Sequence, residues 1–251
     1  MNGDPTERLS QESYGREHTS DGLLERASAF SRSILESIQA LAGTTACKGV
    51  QIARLKDWAI ENDCWIENPI KLGIYVDRGS ENEVYMSSTD LKVYKLNDFR
   101  YSDDNLQPFF ERVFAHNIYF KDCAYSLIGF STNQSGKICA VLTQQVVTNA
   151  RLATPEEIRN QLEHLGFHAE DNGEYFTNGI HDVFDAVPNN VLVDNTGHIF
   201  FIDTIIFKSD SDGIDTYKKY SPNYSKSQKD SLALIHANKS FYTFYFTNIF
   251  L

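Results

Sequence analysis

The chain has 251 residues, long enough for one domain or two small ones with a substantial core, and its 41% hydrophobic and 13% aromatic content is that of a globular protein. Its net charge of −11, without a long basic run, argues against direct nucleic-acid binding and against an anionic membrane surface as a partner. The four cysteines are scattered without a C-x-x-C pair, so we expect reduced thiols in a cytoplasmic protein.

Residues 1–20 are polar and are predicted to form a flexible N-terminus. They contain no apolar segment of the kind found in secretory signals, and no apolar run in the chain approaches the length of a membrane span. The sequence therefore predicts neither secretion nor membrane insertion.

Two helical patterns follow, and together they define a helical accessory segment over residues 21–66. Apolar residues recur at steps of three and four from Leu23 to Leu41, which predicts an amphipathic helix that ends at Gly43. A shorter helical pattern spans Gln51–Glu61. The apolar stripe of the first helix must be buried, either as a brace on its own chain or in a dimer or docking contact through residues 21–61.

Residues 67–147 show mainly β patterns. The order β-β-β-α-β-β is predicted from short β-rich runs, one helical stretch and a hairpin across Asn133–Gly136. These elements are Ile74–Val76, Glu83–Met86, Lys92–Leu96, the helix Leu106–His116, and the strands Tyr125–Phe130 and Lys137–Thr143. After them, Thr154-Pro-Glu-Glu157 predicts a helix start with a capping box, and Gly166 ends that helix.

The most informative segment runs from Asp185 to Asp203. Two apolar runs flank the turn residues Asn195–Gly197 and predict two short strands joined at a tight corner. That corner brings Asn190 and Asp203 to the same end of a hairpin, with Asp185 on the loop before it. Oxygen ligands from one Asn and one Asp suit Mg²⁺, which also binds substrate phosphates. The alternative is a hairpin whose Asn and Asp side chains only stabilise turns.

This segment resembles the catalytic and metal-binding loops of the protein-kinase-like superfamily. Asp185, Pro188 and Asn190 match the D-x-x-P-x-N part of the catalytic loop, and Asp203 matches the Asp of D-F-G. In detail the chain is most similar to the kinase-like domains of polyvalent proteins of phages and mobile elements. It also resembles small kinases of the aminoglycoside-phosphotransferase type, because Thr204 stands where D-F-G has Phe.

The resemblance implies an α+β, bilobal kinase-like fold preceded by the helical segment. Residues 67–147 would form the N-lobe, an antiparallel sheet with one helix. Residues 148–251 would form a reduced, mainly helical C-lobe that carries the catalytic hairpin and an aromatic tail. The chain is too short for a full protein-kinase C-lobe.

The resemblance also implies a phosphate-covering loop after the first strand of the N-lobe. The kinase pattern G-x-G-x-x-G-x-V keeps Gly79 and Val84, while Asp77 and Asn82 replace the outer glycines. We expect Gly79, Ser80 and Val84 to contact a bound nucleotide. Asn tolerates the positive φ that such a loop needs, whereas an Asp near a triphosphate adds repulsion.

Further site residues follow from the same resemblance. Lys95 is the expected phosphate-binding lysine, with Lys92 as the competing choice, and Glu111 on the following helix is the expected partner of Lys95. The hinge between the lobes is expected at residues 144–147, where backbone groups of Gln144 and Val146 would contact adenine.

The function implied is ATP- and Mg²⁺-dependent phosphoryl transfer to a hydroxyl of an unknown protein or small-molecule acceptor, with Asp185 accepting the hydroxyl proton. Nucleotidyl transfer is also compatible with these residues. The alternative is a catalytically weak nucleotide-binding pseudokinase or interaction module, because the glycine loop is degraded and Val183 and Phe184 replace the His and Arg of H-R-D. The neighbouring His181-Asp182 is interpreted as a support for the loop or as a solvated turn.

Overall fold

The computed structural model describes residues 19–42, 47–102, 104–170 and 175–210. Within these ranges the chain divides into two compact units. The first unit comprises the residues up to Phe110 together with Tyr125–Gln145, and the second comprises Glu111–Ala124 and the residues from Val146 onward. The predicted mixed α+β class and the N-terminal helix are confirmed.

The first unit is built on a six-stranded sheet with the strand order β1-β5-β6-β4-β3-β2. All neighbouring strands are antiparallel except β1 and β5, which are parallel. Its strands are β1 Trp65–Ile66, β2 Ile74–Arg78, β3 Asn82–Ser87, β4 Lys92–Asn97, β5 Ser126–Thr132 and β6 Ile138–Gln145. The predicted β-β-β-α-β-β order is therefore present, with the short strand β1 added at one edge of the sheet.

Close packing at that edge depends on one glycine. Gly129 has φ +155°, and a Cβ atom on it would lie 2.3 Å from the carbonyl oxygen of Cys64. Only glycine fits, because any side chain would overlap that backbone. The register of β5 against β6 shifts between Leu127 and Gly129 at the same place, so the local sequence allows β1 to approach the sheet.

Two helices of the first unit pack on this sheet. They are α1, Thr19–Ala42, and α2, Lys48–Glu61. Helix α1 contacts both β5 and α2, and Leu23, Ala27 and Ile34 on its predicted stripe are buried. The stripe is thus covered by the chain's own residues. The predicted stop at Gly43 lies outside the described residues.

The second unit contains the end of α3, Gln107–Tyr119, a complete helix α4, Pro155–His164, and two small sheets. A three-stranded sheet has the order β12-β11-β7 and a four-stranded sheet the order β13-β10-β9-β8. The strands are β7 Ala150–Leu152, β8 His168–Glu170, β9 Tyr175–Thr177, β10 His181–Phe184, β11 Val191–Asp194, β12 Ile199–Phe201 and β13 Ile205–Lys208. Residues 211–251, which include the predicted aromatic tail, lie outside the described ranges.

The capping box predicted at the start of α4 is confirmed. The Thr154 hydroxyl accepts from the Glu157 amide at 3.2 Å, and the Glu157 carboxylate accepts from the Thr154 amide at 2.8 Å. Ile158 and Leu162 are buried in the core of the second unit, next to Val191 and Phe201 of the hairpin. Helix α4 therefore supports the strands that carry the candidate site.

No helix in the described part of the chain is long and apolar enough to cross a membrane.

Candidate functional site

The predicted hairpin forms from β11 and β12. Val191 pairs with Phe201 and Val193 with Ile199. The carboxylate of Asp194 closes the turn by accepting hydrogen bonds from the Thr196 hydroxyl and from the amides of Thr196 and His198. These hydrogen bonds, led by the one from the Thr196 hydroxyl, lower the pKa of Asp194 below its usual value. The turn end of the hairpin is thus fixed by its own side chains.

The open end of the hairpin brings Asn190 and Asp203 together. The carbonyl oxygen of Asn190 accepts hydrogen bonds from the backbone amides of Ile202, at 2.9 Å, and Asp203, at 3.4 Å. The two residues predicted from sequence as metal ligands are therefore joined by a backbone hydrogen bond.

Asp185 also forms a hydrogen bond with Asn190. The side-chain amide of Asn190 donates to the carbonyl oxygen of Asp185 at 2.8 Å. Asn190 is the last residue of a short 3-10 turn, Pro188–Asn190. Asp185 has φ +55°, in the left-handed region that non-glycine residues seldom adopt. Strained backbone of this kind often accompanies functional sites, where the surrounding contacts hold it in place.

The strands on either side of these residues also pair with each other. Strand β10 ends at Phe184, directly before Asp185, and pairs with β13, which begins at Ile205, so that Phe184 lies opposite Ile205. Phe184 is fully buried and stacks on Tyr175 with 5.0 Å between ring centroids. The chain segments that enter and leave the site are therefore fixed to one sheet.

Asp182 supports that sheet from inside. It is 1% exposed and accepts a 2.6 Å hydrogen bond from the hydroxyl of Thr177 on β9. Burial, and next the hydrogen bond with Asp182, raise the pKa of Tyr175 well above its usual value. The burial of Asp182 in strand β10 rules out a solvated turn and agrees with a supporting role.

In the first unit, the predicted phosphate-covering loop is the turn between β2 and β3. The Gly79 amide donates to the Asn82 carbonyl at 2.9 Å, and both Gly79 and Ser80 are exposed. A Cβ on Gly79 would meet nothing closer than 3.9 Å. The fold itself therefore does not require glycine there. Val84 follows on β3, opposite Lys95 on β4.

The strands on either side of this loop are held by contacts with the β5–β6 turn and with β4. The buried carboxylate of Glu83 accepts from the Gln134 amide at 3.2 Å and lies 3.6 Å from the Arg78 guanidinium. The Asn97 side chain donates to the side-chain oxygen of Asn82 at 3.0 Å. These contacts fix both strands of the loop before any ligand is present.

Lys95 is buried, with 3% of its surface exposed. Its ammonium group donates to the Tyr125 hydroxyl at 3.1 Å and lies 5.2 Å from the centre of the Tyr125 ring. Lys92, the competing choice, is only partly buried at the start of β4. A buried lysine amine needs a specific reason to be retained, which favours Lys95 as the functional lysine.

The remaining predicted residues lie on either side of the division between the units. Glu111 belongs to the second unit, so its pairing with Lys95 stays a prediction. Gln144 is buried in β6 opposite Val93, and the chain passes from the first unit to the second between Gln145 and Val146. The predicted hinge coincides with that passage, while the adenine contact stays a prediction.

Comparison with known families places these features in context. A family model described as Serine/Threonine/Tyrosine Kinase found in polyvalent proteins matches residues 48–210, which is more than half of the chain. The chain belongs to this family. The match begins at the first residue of α2 and ends just after β13, so it includes the candidate residues of each unit and leaves α1 outside. No curated protein and no solved structure matches the chain.

Membership of this kinase family confirms the predicted likeness to kinase-like domains of polyvalent proteins and supports phosphoryl transfer as the activity. The likeness to aminoglycoside phosphotransferases stays a prediction.

The donor set of this kinase-family site fits Mg²⁺. Because the Asn190 side-chain nitrogen donates to the Asp185 carbonyl, the side-chain oxygen of Asn190 takes no part in that hydrogen bond and is the atom that would bind the predicted ion. The described residues contain no group of three or more His, Cys, Asp or Glu that could hold a metal. Two protein oxygens with water and phosphate completing the shell is the usual arrangement for Mg²⁺.

Sequence patterns did not single out two residues that contact the candidate site or its loop: Tyr125 and Glu83. Both are buried or half-buried and polar: Tyr125 contacts Lys95 on β4, and Glu83 contacts Gln134 in the β5–β6 turn. Asp182 was visible in the sequence beside the catalytic loop, but the pattern did not distinguish a buried acid from a solvated one. For Tyr125 and Glu83 the sequence offered no local signal.

Proposed function

We propose that this protein is an ATP- and Mg²⁺-dependent phosphotransferase that moves the γ-phosphoryl group of ATP to a hydroxyl of a protein or small-molecule acceptor. The observation that supports this most directly is the pair of contacts made by Asn190. Its side-chain amide binds the carbonyl of Asp185, and its own carbonyl receives the backbone amide of Asp203. Three residues with separate tasks in phosphoryl transfer, Asp185, Asn190 and Asp203, are thereby joined by hydrogen bonds.

In this proposal Asn190 and Asp203 bind Mg²⁺ through side-chain oxygens. The bound ion would neutralise charge on the phosphate oxygens. Asp185 orients the acceptor hydroxyl and takes its proton while the acceptor oxygen forms a bond to the γ-phosphorus and the bond to the ADP oxygen breaks. In this assignment Mg²⁺ and Lys95 bind the phosphates, and the Asp185 carboxylate acts on the acceptor.

The nucleotide half of the proposed site belongs to the first unit. Lys95 binds the phosphates, Gly79 and Ser80 of the braced loop cover them, and Val84 packs on the adenine side. The exposed, open surroundings of Gly79 support this assignment, because the fold leaves space for phosphate oxygens to approach the backbone. The adenine contact is assigned to backbone groups of Gln144 and Val146.

A thermal-shift experiment tests the metal assignment. At an ATP concentration ten times the dissociation constant, binding stabilises the protein by about 1.4 kcal/mol, which is roughly 3–5 °C in Tm for a chain of this size. The shift should be larger with Mg²⁺ than with EDTA. Asp203→Ala should remove the Mg²⁺-dependent part.

Asp194→Ala is the matched control, since Asp194 lies at the opposite end of the same hairpin and closes its turn. This variant lowers Tm in the absence of ligand but keeps the Mg²⁺-dependent shift. An equal Mg²⁺-dependent shift in Asp203→Ala and in the parent would exclude the metal assignment.

The alternative, a pseudokinase or interaction module, is favoured by the outer loop positions Asp77 and Asn82, where kinases carry glycine. ATP labelled at the γ- or the α-phosphate separates the candidates when incubated with the protein and candidate acceptors. Incorporation of γ-label alone indicates phosphoryl transfer, and incorporation of α-label indicates nucleotidyl transfer. ATP binding without either product indicates a nucleotide-binding module.

Docking or dimerisation through residues 21–61 is the less favoured role for the N-terminal helices. Leu24, Ala27 and Ile34 of α1 and Leu55 and Ala59 of α2 are already buried in the first unit. A helix whose apolar side chains are covered by its own chain acts as a brace, since little of that stripe is left for a partner.

A further inference from the structure

The contact between Lys95 and Tyr125 extends across the sheet of the first unit. Strand β6 lies between β4, which carries Lys95, and β5, which begins one residue after Tyr125. Lys95 pairs with Leu142 on β6, and Leu142 pairs with Leu127 on β5. The lysine side chain therefore crosses the central strand to reach the phenol hydroxyl at 3.1 Å.

We infer that Tyr125 is a positioning residue for the nucleotide-binding lysine, holding the Lys95 ammonium group where it meets the phosphates. This inference rests on the proposed role of Lys95 in ATP binding. The Tyr125 hydroxyl accepts one hydrogen bond from the ammonium, and the ring, 5.2 Å away, adds a cation–π contact. Both contacts restrict a side chain with four rotatable bonds to one place.

The chemistry of a phenol suits this task. A neutral hydroxyl fixes an ammonium group through a hydrogen bond without placing a negative charge beside it. Because Lys95 is 3% exposed, bulk water competes weakly for the ammonium.

The test compares the affinities of ATP and adenosine, measured by titration calorimetry on the full chain with Mg²⁺. Tyr125→Phe removes the hydroxyl and keeps the ring, and it should raise the ATP dissociation constant about 3- to 10-fold, as expected for the net contribution of a typical hydrogen bond. Adenosine has no phosphate, so its affinity should change less than about 2-fold. A purely structural effect would weaken both ligands.

Tyr94→Phe is the matched control. Tyr94 is the neighbour of Lys95 on the same strand, and its hydroxyl binds the Asp90 carboxylate at 2.6 Å, away from Lys95. This control should bind both ligands as the parent does, and thermal melts should show that all variants are folded. Lys95→Met should raise the ATP dissociation constant about 10-fold or more and leave adenosine binding nearly unchanged.

Two outcomes overturn the inference on its own. In the first, Lys95→Met loses ATP affinity while Tyr125→Phe binds ATP as the parent does. In the second, Tyr125→Phe weakens ATP and adenosine equally. If Lys95→Met itself binds ATP with parental affinity, the proposed role of Lys95 is wrong and the inference is wrong with it.

Discussion

Replacing Asp185 by glycine or by alanine should reverse the usual order of stability of these two residues. Asp185 has φ +55°, a conformation that costs an L-residue roughly 1–2 kcal/mol and glycine almost nothing. Glycine is otherwise disfavoured by about 0.5–1 kcal/mol, because its unfolded chain is more flexible. The difference leaves Asp185→Gly more stable than Asp185→Ala by about 0.5–1 kcal/mol.

The comparison isolates the effect of the backbone conformation on stability. Both variants lose every contact of the Asp185 carboxylate, and both keep the backbone carbonyl that accepts the hydrogen bond from Asn190. Differential scanning calorimetry should show Asp185→Gly melting roughly 1–4 °C above Asp185→Ala. Asn189 in the adjacent 3-10 turn is the matched control. There the alanine variant should be the more stable of the pair, by about 0.5–1 kcal/mol.

Both Asp185 variants should bind Mg²⁺–ATP with nearly parental affinity and lose phosphoryl transfer, because the carboxylate is assigned to the acceptor. If Asp185→Ala melts at or above the temperature of Asp185→Gly, the left-handed backbone does not strain the loop and the reasoning is refuted. If either variant retains transfer, the catalytic assignment of Asp185 is wrong.

Two further predictions concern the scaffold. The hydrogen bond from Arg151 is the largest cause that lowers the pKa of Glu157 from 4.5 to about 2. The ionised Glu157 carboxylate therefore stabilises the folded protein above pH 4.5, and this stabilisation is lost as the pH falls towards 2. The Tm difference between the parent and Glu157→Gln should therefore close over that range, whereas Glu156→Gln should show no comparable difference at any pH. Ile34→Ala should lower the free energy of unfolding, measured by chemical denaturation, by about 2–5 kcal/mol, because Ile34 is 2% exposed on α1. Ile38→Ala, one turn further along the helix, should lower it by less. If both alanine variants lower the free energy of unfolding by the same small amount, α1 is not a structural brace and the docking role is favoured.

The parts of the fold that the sequence predicted are those fixed by neighbouring residues. The capping box at Thr154 and the turn after Asp194 each close within a few residues, so the residue types at those positions were sufficient evidence. The same holds for the proximity of Asn190 and Asp203, which follows from the length of one hairpin. Local chemistry of this kind can be read from a single sequence.

The parts that were not predicted depend on pairing between distant segments. Tyr125 reaches Lys95 only because of the register of three strands, and Glu83 reaches Gln134 across 51 positions in the chain. The four-stranded sheet was missed because its strands have three or four residues. Strands of that length are too short to show an alternating pattern.

The replacement of His and Arg by Val183 and Phe184 has a structural explanation in the same sheet. Val183 lies in the main core of the second unit, and Phe184 is buried between Tyr175, at 5.0 Å, and Phe207, at 5.7 Å. In a regulated protein kinase the arginine binds a phosphorylated residue, and this contact orders the segment after the D-F-G aspartate. Here Thr204 leads from Asp203 into β13, whose first residue, Ile205, pairs with Phe184 in the sheet. Apolar burial and strand pairing do not depend on phosphorylation, so we expect this segment to be ordered without a phosphorylated residue.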